Sequence, residues 1–106
     1  MAKMEDRERG FEQKFAFDEE LRFKATARRN RLFGLWAAER LGKGGAEAEA
    51  YARDVVLADL SKAGDRDVIG KVLADFQAAG IASDESQLKV RLIDLMTQAI
   101  DQLEKS

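Results

Sequence analysis

The sequence predicts an all-α fold: a compact four-helix bundle with a long first helix and a mobile N-terminal arm. Three observations carry that expectation. Proline is absent from all 106 residues, so no helix interior loses a backbone donor to a pyrrolidine ring. Between its glycines the chain is rich in Ala, Leu, Glu, Lys, Arg and Gln, which lose the least side-chain freedom in a helix. Apolar residues recur at three- and four-residue intervals in four successive segments, and strand-like alternation bounded by turns is missing.

The first segment, about 20–41, carries Leu21, Ala25, Leu32, Leu35 and Trp36 as one apolar stripe and stops at Gly42-Lys43-Gly44-Gly45, where three glycines in four positions make continuation costly. That glycine run has no Gly-x-x-x-x-Gly-Lys-Ser/Thr pattern and no preceding strand, so it is a linker and not a phosphate loop. The second segment, about 46–63, repeats the pattern with Ala48, Tyr51, Ala52, Val55, Val56 and Leu60. Gly64 reads as its stop and Asp65 as the N-cap of the next helix. The third, about 66–79, has Val68, Ile69, Val72, Leu73, Phe76 and Ala79 on its apolar face. It ends at Gly80, with Ile81 placed for the hydrophobic contact of a Schellman motif. In the fourth, about 84–104, Ser83 is the expected cap, and Asp84 and Glu85 complement the helix dipole. Leu88, Leu92, Leu95, Met96, Ala99 and Leu103 supply its buried face. Short connections favour antiparallel neighbours, and 106 residues suffice for one core of this kind.

Residues 1–19 form a separate object from the bundle of residues 20–106. The first ten residues mix Lys3, Glu5, Asp6, Arg7, Glu8 and Arg9 with almost no large apolar group, so burial there cannot offset an ordering cost of about 1–2 kcal/mol per residue. Phe11, Phe15 and Phe17 follow among Glu12, Lys14 and Asp18, and Phe11 with Phe15 is an i,i+4 pair on one helical face. Two outcomes suit that pattern equally: rings packed on the bundle, or an amphipathic helix laid into a partner's groove.

Composition narrows the function classes. The chain has no cysteine, hence no disulfide framework and no thiolate nucleophile, which suits a reducing compartment. It has no histidine, the commonest proton carrier near neutral pH. Catalysis is not expected: Tyr51 and Ser83 lack an activating base. Nor does any Glu-x-x-His pair build a metal site in the bundle. No metal or cofactor is expected. The first ten residues are charged where a signal peptide needs an apolar run, and no apolar run approaches a bilayer's thickness, so a cytoplasmic protein without direct membrane insertion is expected. A net charge of −2 offers no global attraction for nucleic acid. The local run Arg22, Lys24, Arg28, Arg29 and Arg31, interleaved with Phe23, Phe33 and Trp36, splits on a helix. Lys24, Arg28 and Arg31 fall on one flank of the apolar stripe and Arg22 with Arg29 on the other, an arrangement of stems snorkelling beside a buried face. A helical nucleic-acid-binding protein and a nucleotide-sensing bundle are the alternatives to a protein-binding role.

One resemblance covers nearly the whole chain. Asp6-Arg7-Glu8-Arg9-Gly10-Phe11-Glu12-Gln13-Lys14-Phe15-Ala16, followed by Asp18-Glu19-Glu20-Leu21, Phe23-Lys24-Ala25, Ala27-Arg28-Arg29-Asn30 and Gly34-Leu35-Trp36-Ala37-Ala38, resembles the zeta inhibitor subunit of the alpha-proteobacterial ATP synthase. The resemblance implies a regulatory inhibitor, not an enzyme, peripheral to the inner membrane through the synthase. Its N-terminal segment would enter the catalytic head of the rotary ATP synthase at a subunit interface and block rotation during ATP hydrolysis. Carried over by position, Phe11, Phe15 and Phe17 are the anchors, with Arg7, Arg9, Glu12 and Lys14 as polar contacts. A partner that handles ATP adds weak adenine-nucleotide binding as a minor expectation. Position 17, often histidine in that family, is Phe17 here, which removes pH sensing at that site.

Overall fold

A computed structural model of the protein describes residues 19–59 and 65–105. They form four helices: α1 (Glu19–Arg40), α2 (Gly45–Ala58), α3 (Asp65–Ala78) and α4 (Glu85–Lys105). No strand occurs among the described residues. Each helix packs on the next, and α4 returns to α1, closing the bundle; the backbones of α2 and α4 make no close approach. The α1/α2 and α1/α4 interfaces are the most extensive, so the long first helix is the spine on which the others assemble.

The core is built from Phe33, Ala37 and Ala38 of α1, Tyr51 and Val55 of α2, Val68, Ile69, Val72 and Phe76 of α3, and Leu88, Leu92 and Leu95 of α4. Three of the four predicted faces match it. The exposed Ala79 is an exception in α3, and Leu60 of the second segment lies outside the described residues. The face of α1 is as expected at Ala25 and, on the core's edge, at Leu32 and Trp36, but its fully buried centre lies elsewhere. Leu21, Leu32, Leu35 and Trp36 are only half-buried, while Ala25, Arg29, Asn30, Phe33, Gly34, Ala37 and Ala38 are buried. The reason is helix proximity. A Cβ added at Gly34 would lie 2.6 Å from the Ala52 Cα, so α1 and α2 approach through their smallest side chains and the larger residues move to the seam's edges. Trp36 occupies one such edge, stacked on Phe33 at 5.7 Å and tilted against Phe76 at 5.8 Å.

Two helix ends are closed as the glycines require. Gly80, with φ 75°, takes the left-handed conformation at the end of α3. Its N–H donates to Gln77 O at 3.1 Å, and the Ile81 N–H donates to Phe76 O at 2.8 Å. These are the paired bonds of a Schellman motif, and Ile81 packs on the core cluster as expected. Gly42, with φ 79°, closes α1 in the same way through Lys43 N–H to Ala38 O at 2.8 Å and Gly42 N–H to Glu39 O at 3.1 Å.

Three boundary details differ from the sequence reading. The cap of α4 is Asp84, not Ser83: the Gln87 N–H donates to Asp84 Oδ1 at 2.9 Å, and the Leu88 N–H donates to Asp84 O at 3.2 Å. Helix α2 stops at Ala58 with Asp59 as its C-cap, short of the expected residue 63. Its last turn carries no cation, and a carboxylate at a helix C-terminus opposes the dipole. The expected stop at Gly64 lies outside the described residues. Asp65, expected as the cap preceding α3, is instead its first residue, and its carboxylate is engaged by Arg29.

Candidate partner-binding site

The seven residues that the sequence marks for partner binding, Arg7, Arg9, Phe11, Glu12, Lys14, Phe15 and Phe17, lie outside the described residues. What the structure describes is their root and its surroundings. Helix α1 begins at Glu19, and Glu19 and Glu20 in its first turn complement the positive end of the helix dipole. The chain entering from residues 1–18 therefore joins the N-terminus of the longest helix in the bundle.

The basic run splits into three environments. Lys24, Arg28 and Arg31 share one flank, as their spacing predicts, and line a groove between α1, α2 and the end of α4. Phe23, Leu32 and Val56 provide its apolar surface. Arg22 is solvent-exposed. Arg29 departs from the expectation of a snorkelling stem: it is buried, with a relative exposure of 6%. Its Nη2 donates to Asp65 Oδ1 at 2.7 Å and to Asn30 Oδ1 at 2.9 Å, and its Nε donates to Asn30 Oδ1 at 3.1 Å. A guanidinium can be buried when its planar fork is matched by acceptors, and here Asp65, the first residue of α3, provides the charged one. Arg29 thus ties α1 to α3. The Asn30 Nδ2 is buried without a partner, a local cost within this network.

Two further polar clusters are structural. Tyr51, buried in the core, donates from its hydroxyl to Asp75 Oδ2 at 2.7 Å, and Lys71 Nζ reaches the same oxygen at 3.2 Å. Burial, then the hydrogen bond to the Asp75 carboxylate, pushes the Tyr51 phenol well above its ordinary range. A phenol held this firmly in its neutral form is a poor nucleophile and a poor base. The Arg40 and Arg91 guanidinium carbons lie 5.3 and 5.1 Å from the Trp36 ring centroid, within cation–π range. Arg91 links α4 to α1 through this contact.

A second groove of about 400 Å³ runs between α1, α3 and α4, lined by Ile69, Leu92, Ile93 and Met96 with Arg29 and Lys89 at its margins. Among the described residues no group of His, Cys, Asp and Glu side chains is arranged to hold a metal ion. No described helix is long and apolar enough to cross a membrane.

Geometry alone leaves the partner unnamed. No curated protein matches the chain. Among solved structures, one determined by solution NMR is similar to this chain at 47% identity, with a TM-score of 0.71; the match covers 80% of this chain and 96% of that one. The model of the family described as ATPase inhibitor subunit zeta matches residues 1–102, which include both the N-terminal segment and all but the last turn of the bundle. The chain belongs to the ATPase inhibitor subunit zeta family.

Proposed function

We propose that the protein inhibits a rotary ATP synthase by inserting residues 1–19 into the catalytic head at a subunit interface, where the segment blocks rotation during ATP hydrolysis. The observation that carries this reading is the family match, which begins at residue 1 and so includes the amphipathic segment as well as the bundle. Phe11, Phe15 and Phe17 are the anchors, with Phe11 and Phe15 sharing one helical face. Arg7, Arg9, Glu12 and Lys14 make the polar contacts that fix register. Burying two phenyl rings contributes about 3–6 kcal/mol before the ordering of the segment is subtracted. The bundle holds the segment at one end and gives it bulk outside the head.

The test is ATP hydrolysis by a purified alpha-proteobacterial synthase head, titrated with the intact chain and with one lacking residues 1–19. The intact chain should inhibit and the truncated one should not. Phe11→Ala with Phe15→Ala should weaken inhibition at least tenfold, about 1.4 kcal/mol or more. Unchanged potency would remove the two rings as anchors, and equal inhibition by the truncated chain would move the inhibitory segment into the bundle.

A second reading, weak adenine-nucleotide binding, rests on the groove between α1, α3 and α4, whose apolar wall of Ile69, Leu92, Ile93 and Met96 suits a base, although its cations Arg29 and Lys89 are already engaged by Asp65 and Glu85. NMR spectra unperturbed by millimolar ATP would eliminate it.

A further inference from the structure

We infer that the basic, Phe-edged groove at the root of α1 is a second docking surface, which grips an acidic segment on the rim of the same partner. The inference rests on the insertion reading above and adds to it what the bundle itself does. Phe23, Lys24, Arg28, Arg31, Leu32 and Val56 line the groove. Phe23 is 68% exposed, a large apolar ring left in water on an otherwise charged face. The groove's own lining carries Lys24, Arg28 and Arg31 and no carboxylate, while Glu19 and Glu20 stand one turn before Phe23. Arg28 reaches only the neutral Gln102 Oε1, at 3.5 Å, and Lys24 has no acidic partner among the described residues. Arg53, beside Arg31 and Val56 in the adjoining depression, has none either; only Arg31 is paired, with Glu49 at 2.7 Å. A ring ready for burial beside cations ready for anions is the surface an acidic amphipathic segment would complement.

Position selects the partner over other occupants. Phe23 stands four residues, about 6 Å of helix rise, from the start of α1, and Arg28 about 14 Å from it. If residues 1–19 enter a cleft, this groove is held against the mouth of that cleft without any rearrangement of the bundle. The chain's own N-terminal segment, with Glu5, Asp6, Glu8, Glu12, Asp18 and Glu19 against Lys3, Arg7, Arg9 and Lys14, competes for the same groove, and charge reversal that speeds the onset of inhibition by releasing it would overturn the inference. Docking at the mouth acts as the second half of a bivalent contact: it raises the local concentration of the inserting segment and speeds its entry.

The test uses full-length chains throughout: wild type, Lys24→Glu with Arg28→Glu, the neutral pair Lys24→Gln with Arg28→Gln, and Phe11→Ala with Phe15→Ala. Each is checked for fold by circular dichroism. The onset rate of ATPase inhibition is followed as ionic strength rises from about 50 to about 300 mM, a range over which screening shortens from about 14 to about 6 Å. Wild-type onset should slow with salt. Charge reversal should slow onset about tenfold at low salt and flatten its salt dependence, and the neutral pair should fall between. The double-Phe variant should keep the salt dependence of onset while its inhibited complex dissociates at least tenfold faster. Wild-type potency with unchanged onset and salt slope in the reversed variant overturns the inference and leaves the insertion reading intact. Failure of the wild-type chain to inhibit overturns both. Self-association, or a mobility shift with RNA, that charge reversal abolishes while inhibition stays unaltered would assign the groove to a different occupant and overturn it as well.

Discussion

The two halves of α1 are built on different physics. From Phe33 to Ala38 the helix is held by close apolar packing: Phe33, Ala37 and Ala38 are fully buried, and Gly34 lets the α2 backbone come within a distance that excludes any side chain. From Glu19 to Leu32 apolar burial is thinner, with Ala25 buried and Leu32 partly so, and side chains reach across to other helices from Arg28 to Gln102, Arg29 to Asp65 and Arg31 to Glu49. The comparison teaches a division of labour. A dense interior tolerates almost no change of volume and fixes the helix in the bundle. A half secured by guanidinium forks can keep an aromatic ring and free cations on its surface, because its attachment does not depend on burying them.

Substitutions that attack the packed half should have the largest effects. Phe33→Ala is expected to cost about 3–5 kcal/mol, which for a single core of this size leaves much of the population unfolded at ambient temperature; urea titration followed by circular dichroism measures it. Gly34→Ala, though a gain of one methyl, should cost about 1–3 kcal/mol, because the added Cβ meets backbone and not a movable side chain. A wild-type midpoint in Gly34→Ala would break the claim that α1 and α2 are in contact through this glycine. In the polar half, Arg29→Met should cost about 1–3 kcal/mol, since the Asn30 oxygen keeps its burial and loses both donors. Its replacement by Lys should recover only part of that, for want of a fork. At the small end, Phe23→Ala should leave stability within about 0.5 kcal/mol of wild type. It should still slow the onset of ATPase inhibition. Equal stability losses for Phe23→Ala and Phe33→Ala would erase the distinction between the halves.

How much of this was legible in the sequence follows the same division. The face of α4 was readable because Leu88, Leu92, Leu95 and Ala99 are spaced at one turn and apolar, and that is also how they are buried. The Schellman end of α3 was readable because Gly80 and Ile81 carry its backbone and hydrophobic requirements in adjacent positions. The centre of the α1 face is not legible from hydrophobicity, because the contact with α2 is made by Gly34 and Ala52, whose significance is their lack of volume. Burial of Arg29 depends on Asp65, 36 positions away, and helical periodicity has no access to a pairing of that range. The cap of α4 has a local signal in the sequence: Asp84 and Gln87 stand three apart, the spacing of a capping box, while Ser83 has Ser86 at that distance. For residues 1–19 the sequence carries an amphipathic pattern but no partner, because a pattern of rings and charges specifies a complementary surface without saying whose it is. The family match supplies that context.

Trp36 is the chain's one indole, and it sits where α1 meets α3 and α4, against Phe33 and Phe76 and within reach of two guanidinium groups on different helices. The protein therefore contains its own optical reporter. Unfolding of any one of those three helices would alter the surroundings of that ring, so an emission spectrum of the unlabelled chain reads the packing of α1, α3 and α4 from a single point.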